Sequence, residues 1–419
     1  MIEAPKGTRD ILPDEIGRWQ FVEECARQIF ERYGFKEIRT PIFESTELFA
    51  RGIGAGSDIV AKEMYTFPDR KGRSLTLRPE NTAPVARAFI EHQMQRAPGL
   101  QRLYYVGPMF RYERPQKGRT RQFHQIGVEV FGSDHPAVDA ETLEMLMSFL
   151  GALGLNDLEL ALNSVGDGVC RPVYRKALLA YLEPRRQEMC EDCRRRMVEN
   201  PLRCFDCKVE ADRAIMAGAP TITDYLCDAC REHFQKVTGL LRAYGIRHRV
   251  EPRLVRGLDY YRRTSFEVTL QGLGAQNALL GGGRYDGLLA ELGGPDLPGF
   301  GFAIGEERLV MSLPAHAAAS RGAPEVFIAA VGESGVERAL LIARGLRQAG
   351  RQVQLEPLPG KSLKAQLRRA NDLRARFVLI LGDGEVRDRA VTIKRMSDGS
   401  QETIAEDRLE ARLGEMIRA

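Results

Sequence analysis

Residues 101–131 constrain the fold more than any other stretch of the chain. Gln-Arg-Leu-Tyr-Tyr-Val-Gly-Pro-Met-Phe-Arg-Tyr-Glu (101–113) reads as a strand ending in charge. A basic turn follows at 114–121, and Gln-Phe-His-Gln-Ile-Gly-Val-Glu-Val-Phe (122–131) returns as a second strand. Successive side chains of a strand point to opposite faces. Gln125, Gly127 and Glu129 therefore share one face, and Ile126, Val128 and Val130 the other. A long antiparallel hairpin is expected, with an apolar back that seeks a core and a polar front suited to a substrate floor. Arg111 and Glu113 also point the same way as each other.

The chain before the hairpin reads as a helix, a strand and a second helix. Asp14 is a plausible N-cap, and Ile16, Trp19, Val22, Ala26, Ile29 and Tyr33 recur at helical spacing up to Gly34. Residues 35–43 read as a strand broken by Pro41, which places it at a border or an interface. Two short strands at 64–67 and 74–78 flank a polar turn. Arg-Pro-Glu-Asn-Thr-Ala (78–83) then leads into a helix over 84–92, with Thr82 as candidate cap. Glu80 lies near that helix start, where a carboxylate is favoured either as a cap or as a ligand group.

Two later stretches carry more polar tips than a core strand can use. Leu-Val-Arg-Gly-Leu-Asp-Tyr-Tyr (254–261) holds Arg256, Asp259, Tyr260 and Tyr261. Leu-Gly-Gly-Gly-Arg-Tyr-Asp-Gly (280–287) sets three glycines before Arg284, Tyr285 and Asp286. A Gly-rich hairpin with solvated charges is one reading. A grip on a small molecule bearing charges of both signs is the other. On that reading Asp259 orients its neighbours and the glycines give room for close backbone approach to the substrate.

Composition narrows the classes. The 419 residues suffice for two or three domains, and 43% hydrophobic with 28% charged is ordinary for a globular chain. No apolar run nears the roughly 20 residues of a membrane helix, and the N-terminus has no apolar signal core, so a cytoplasmic protein with no membrane partner is expected. Net charge is +4, too slight to imply nucleic acid without local patches. Gly360-Lys361-Ser362 mimics the end of a phosphate loop, but Leu355 stands where the first glycine must be.

Between 166 and 244 the texture changes to Arg-rich helices with three Cys-x-x-Cys pairs, 190/193, 204/207 and 227/230. Cys190, Cys193, Cys227 and Cys230 are expected as the set for a structural zinc, because each pair opens a helical segment. His233 is a possible substitute ligand, and free buried thiols are the alternative. Residues 313–324 are linker-like. From 325 to 419 strands alternate with helices, which indicates a small α/β domain. Its cluster Lys361, Lys364, Arg368 and Arg369 suits phosphates or a solvated helix face.

The ordered motifs identify a family. The long helix with its Pro-ended strand resembles the dimer-forming first motif of class II aminoacyl-tRNA synthetases. Phe110-Arg-Tyr-Glu113 with its basic loop resembles the second. Gly-Phe-Gly-Phe-Ala-Ile-Gly-Glu-Glu-Arg (299–308) resembles the third. The stretches 254–261 and 281–286 look like the two signatures peculiar to histidyl-tRNA synthetases of the bacterial type. The likeness runs over essentially the whole chain. It departs at Asn81, where glycine is expected after Glu80.

The resemblance implies an α+β catalytic domain built on an antiparallel sheet (1–165 and 245–312), a helical insertion (166–244) and an anticodon-binding domain (325–419). It implies a homodimer that joins L-histidine to ATP and passes the histidyl group to tRNA(His), with Mg²⁺ beside the phosphates. By resemblance Arg111 bridges the amino-acid carboxylate and α-phosphate, Arg256 serves the α-phosphate and Arg308 the γ-phosphate. Glu113 holds the adenine edge, and Arg119 and Arg121 also face ATP. Arginine suits these roles because its planar fork binds phosphate bidentately. Glu80, Thr82 and Gln125 would accept from the α-ammonium. Glu129 would accept from the imidazole, Tyr261 would complete that site, and Tyr260 and Tyr285 would wall it. A rival class is the catalytically inactive paralogue that regulates a phosphoribosyltransferase. Such paralogues erode the arginines and lack the C-terminal domain, both of which stand here.

Overall fold

The computed structural model describes residues 2–54, 57, 59–114, 118–255, 260–270, 278–314, 317, 323–358 and 360–418. Arg256 and Asp259, with most of the 313–324 linker, lie outside these described residues.

The chain divides into two compact units, Met1–Ala319 and Ser320–Ala419. The first is organised on an eight-stranded sheet. Its strands are β1 (Lys36–Glu37), β2 (Gln101–Phe110), β3 (Gln122–Phe131), β4 (Leu158–Ser164), β5 (His248–Val250), β6 (Arg262–Leu270), β7 (Ala278–Arg284) and β8 (Gly299–Gly305). They lie in the order β1-β2-β3-β8-β7-β6-β4-β5. The end pairs β1–β2 and β4–β5 are parallel, and the pairings between them are antiparallel. The hairpin is formed as expected, in the register Phe110↔Gln122 to Gln101↔Phe131.

Its apolar back is buried by two helices, α1 (Ile16–Arg32) and α3 (Pro136–Ala152), with α2 (Thr82–Glu91) between them in sequence. Trp19, Val22, Ala26 and Phe30 of α1 join Leu143, Leu146 and Phe149 of α3 against Ile126, Val128 and Val130. The Phe30 ring meets Phe149 edge-on at 5.3 Å between centroids and Phe302 at 6.2 Å. Each such side chain contributes about 1.5–3 kcal/mol by leaving water. This packing fixes which face of the hairpin is turned outward.

Three local expectations change. The strand expected over 35–43 is two strands in two sheets. Lys36–Glu37 joins the large sheet, and Phe43–Ser45 pairs with Ser74–Leu77 in a three-stranded sheet. Pro41 lies in the break, where it donates to neither ladder. Helix α1 begins at Ile16 with Glu15 as N-cap, and no side chain caps it. Thr82 is the first residue of α2 rather than its cap, and the capping carboxylate is Glu80.

The inserted segment has its own core, in which Tyr174, Leu178, Met197 and Ile222 pack with seven of the cysteines. Its helices include α4 (Cys170–Leu182), α5 (Glu191–Glu199) and α6 (Asp228–Ala243), and α7 (Glu306–Ser312) follows β8. The second unit holds a five-stranded mixed sheet flanked by helices, with Val326–Ala330 parallel to both Val353–Leu355 and Phe377–Leu381. A short helix, Asp383–Asp388, follows the last of these strands, and Gln401–Ala405 closes the sheet edge.

Candidate active site

A cleft of about 450 Å³ opens on the polar front of β3, β7 and β8. Glu80, Thr82, Gln125, Tyr260, Tyr261 and Tyr285 line it. Arg111, Glu113, Arg119 and Arg308 line the part nearer the hairpin turn. Most of the expected site residues thus converge, although they come from segments up to 228 positions apart in sequence (Glu80 to Arg308).

Local chemistry explains each position. Glu80 accepts from the N–H groups of Thr82 at 2.8 Å and Ala83 at 3.0 Å, which anchors its carboxylate at the start of α2. Asn81 occupies φ −121°, a conformation open to any residue, so the glycine expected there is not required. The Asn81 amide oxygen instead accepts from Thr40 Oγ1 at 2.7 Å and Arg78 Nη1 at 3.3 Å, which orders the turn. Arg111 donates through Nε to Pro79 O at 2.8 Å and lies 5.3 Å over the Phe123 ring. Glu113 stands between two guanidinium groups, Arg111 at 3.9 Å and Arg119 at 3.4 Å. Arg308 donates to Ala278 O and lines the cleft.

Two expected residues sit otherwise. Glu129 is buried beneath the floor rather than exposed on it. Its Oε1 accepts from Thr82 Oγ1 at 2.8 Å, and its Oε2 accepts from the Tyr285 phenol. Burial pushes its carboxyl up to about 8. Burial likewise raises Glu80, against the opposing pull of its two N–H donors and Arg111. The phenols of Tyr105, Tyr260 and Tyr285 are all raised well above their ordinary value by burial. Arg121 does not line the cleft. Its guanidinium stacks on Tyr112 at 4.0 Å and donates to Glu113 O at 3.3 Å.

Glycine makes this buried layer possible. A Cβ on Gly301 would overlap the Glu129 carboxylate, and one on Gly127 would overlap the Tyr105 phenol. Of the 281–283 run, Gly281 lines the cleft, as expected of a close approach to substrate. Gly282 answers a different need, since a Cβ there would meet Gly301 O and the Phe266 ring. Arg284 faces away from the cleft. It is fully buried and pairs with Asp139 and with Asp286, the latter at 3.0 Å.

Sequence reasoning missed several lining residues. Phe123 shares the outward face with Gln125 on β3, so the alternation itself could have found it. Glu307 accepts from His124 N at 2.9 Å and had a signal only in its adjacency to Arg308. Arg203 and Asp206 reach the cleft from the inserted segment and had no sequence signal. The four cysteines expected as one set do not come together. Cys190 and Cys193 group with Cys207 and Asp212, while Cys227 and Cys230 group with Cys170 and Asp167. The N-termini of α5 and α6 thus belong to different groups. His233 joins neither group; its Nε2 lies 3.6 Å from Asp139.

The chain matches two family models. Residues 7–309 match "Histidyl-tRNA synthetase" and residues 325–416 match "Anticodon binding domain". It is 53% identical over 414 residues to the histidine–tRNA ligase of Solibacter usitatus, covering 99% of each chain. It is 50% identical over 417 residues to that of Syntrophotalea carbinolica, covering 100% of this chain and 99% of the relative. Among solved structures, the apo histidyl-tRNA synthetase of Staphylococcus aureus superposes with a TM-score of 0.82 at 38% identity, over 99% of this chain and all of that one. The fold, the converged cleft and these full-length likenesses together establish that the chain belongs to the histidyl-tRNA synthetase family.

Proposed function

We infer that this protein is a histidine–tRNA ligase, an enzyme that activates L-histidine with ATP and transfers the histidyl group to tRNA(His). The observation that carries the reading is one cleft lined both by the cations Arg111, Arg119 and Arg308 and by the buried hydrogen-bonding groups Glu80, Thr82, Gln125 and Tyr285. It is supported by relatives of that activity at about half identity over the full length.

In the first step a carboxylate oxygen of histidine attacks the α-phosphorus of ATP, the bond to the β-phosphate breaks and pyrophosphate leaves. Charge spreads over phosphate oxygens, so fixed cations do most of the work. On family likeness Arg111 would bridge the amino-acid carboxylate and the α-phosphate, and Arg308 would meet the γ-phosphate; both line the cleft. Arg256 is assigned to the α-phosphate on family likeness. Glu113, held by Arg111 and Arg119, takes the adenine edge. Mg²⁺ held largely by the phosphates and water would neutralise part of their charge. In the second step the terminal ribose hydroxyl of tRNA attacks the adenylate carbonyl and AMP leaves.

Selection of histidine falls to Glu80, Thr82 and Gln125 at the ammonium and to Glu129 with the tyrosines at the ring. Glu129 already has two donors, so an imidazole N–H must displace or share one of them. A site that hydrogen-bonds both ring nitrogens rejects apolar analogues by roughly 10⁴-fold or more.

We further propose 1–165 with 245–312 as the catalytic domain, 166–244 as an insertion toward the tRNA acceptor stem and 325–419 as the anticodon reader. The enzyme is proposed as a cytoplasmic homodimer. Among the described residues no helix is long and apolar enough to cross a membrane. Histidine-dependent ATP–pyrophosphate exchange tests the reading. It is expected in the wild type and abolished in Arg256→Ala. Its absence from the wild type would return the chain to the regulatory, non-catalytic class.

A further inference from the structure

Two groups of metal-ligating side chains stand outside the reaction centre. In the first, one ligand atom from each of Cys190, Cys193, Cys207 and Asp212 lies within 4.8 Å of every other. In the second the same holds for Asp167, Cys170, Cys227 and Cys230. We propose that the inserted segment binds two structural zinc ions, one at each of these three-thiolate, one-carboxylate sites.

The geometry has the scale of a tetrahedral thiolate site. Zn–S bonds of about 2.3 Å place two sulfurs roughly 3.8 Å apart along a tetrahedral edge. Cys190 Sγ and Cys207 Sγ are 3.8 Å apart. A disulfide would need about 2.05 Å. Cys207 Sγ stands 3.1 Å from Asp212 Oδ2, so metal entry opens that contact by a few tenths of an ångström. Backbone N–H groups also orient two of the sulfurs. Cys190 caps α5, and its Sγ accepts from the Cys193 N–H at 3.4 Å. Cys227 stands at the N-cap position of α6, and its N–H donates to Cys170 Sγ at 3.1 Å.

The carboxylates supply the second line of argument. Asp212 is fully buried in the cysteine-rich core. Its partners are the Cys190 N–H and the Cys207 thiol, and among the described residues no lysine or arginine pairs with it. A buried carboxylate facing thiols without a cation is costly. A soft divalent cation would neutralise carboxylate and thiolates together, each thiol giving its proton to solvent on binding. Asp167 likewise spends Oδ1 on the N–H groups of Val169 and Cys170, at 2.9 and 3.2 Å, which aims it into the second group.

Each site adjoins the cleft. Arg203 and Asp206, which line it, alternate with Cys204 and Cys207 in the turn Pro201–Asp206 and just beyond. Arg171 follows Cys170 and donates to Tyr261 O at 3.2 Å. The metals would therefore stiffen the edge of the cleft that the inserted segment provides. The proposal does not depend on the reaction assigned to the cleft.

The test is metal analysis of the full-length chain, grown with zinc and purified without chelators or metal-affinity resin. About two zinc ions per chain are expected. Cys207→Ser and Cys230→Ser should each halve the content, and the double variant should bind none. Cobalt(II) exchanged into the wild type should show sulfur-to-metal charge-transfer absorption, which does not rely on any variant folding. Zinc well below one per chain with no cobalt band overturns the proposal. So does an unreduced mass lowered by two hydrogens per cysteine pair, which means disulfides. A single zinc lost equally in Cys190→Ser and Cys230→Ser also overturns it, because one shared site would then span both pairs.

Discussion

Thr82 Oγ1 donates to Glu129 Oε1 across 2.8 Å, which ties the first residue of α2 to the middle of the substrate floor. The Tyr285 phenol holds the other oxygen of the same carboxylate. A neutral or anionic Glu129 thus joins the group that would meet the substrate ammonium to the tyrosine wall that would meet its ring. Glu129→Gln keeps the size and loses an acceptor. The apparent KM for histidine in pyrophosphate exchange should rise at least tenfold, about 1.4 kcal/mol of binding, with the KM for ATP little changed. An unchanged histidine KM would remove Glu129 from recognition.

The same residue predicts a pH effect on stability. Its carboxyl titrates at about 8 when folded and near 4.3 when unfolded. Between those values the folded chain carries the extra proton, so this group's contribution falls as pH rises and is fully lost above about 8. Glu129→Gln removes that dependence. Its Tm relative to wild type should climb from about pH 5 to pH 8, which differential scanning fluorimetry can follow. A difference independent of pH over that range contradicts a buried, proton-bearing Glu129.

Gly301 should not tolerate a methyl group. The added Cβ would press on the Glu129 carboxylate and the Val128 carbonyl at the centre of the sheet. Gly301→Ala is expected to lose about 1–3 kcal/mol of stability and most histidine affinity. Equilibrium urea unfolding and calorimetric histidine titration check the two effects separately. Gly151→Ala, on α3 with open space at its Cβ and outside the cleft lining, serves as the control.

Arg284 is predicted to act on folding rather than on chemistry. Arg284→Met leaves Asp139 and Asp286 without their shared cation, and Asp139 is fully buried. A loss of about 3–5 kcal/mol is expected by urea unfolding. Asp139→Asn combined with Arg284→Met should recover part of it, since no charge is then stranded. A Michaelis defect without loss of stability would instead put Arg284 in the reaction.

Arg111 tests the cation end of the cleft. Arg111→Lys keeps the charge and loses the planar fork, and kcat for pyrophosphate exchange should fall about a hundredfold. Full activity in that variant would mean that a point charge suffices there.

The sequence by itself determined the hairpin, its two faces and the family. Strand alternation depends only on neighbouring residues, so Ile126, Val128 and Val130 announce a core face without any partner. Ordered motifs likewise survive in one dimension. Tertiary structure decided what depends on which segments meet. Glu129 and Gln125 share an outward face, yet Gly301 on the adjoining strand lets Glu129 sink beneath the floor while Gln125 stays on it. Arg284 and Tyr285 are neighbours in sequence, but the pleat sends one to Asp139 and the other to the cleft. The cysteines make the same point. Their i, i+3 spacing marks ligand pairs, but which pair joins which depends on how the inserted helices pack, and that placed Cys207 and Asp212, not Cys227 and Cys230, beside Cys190.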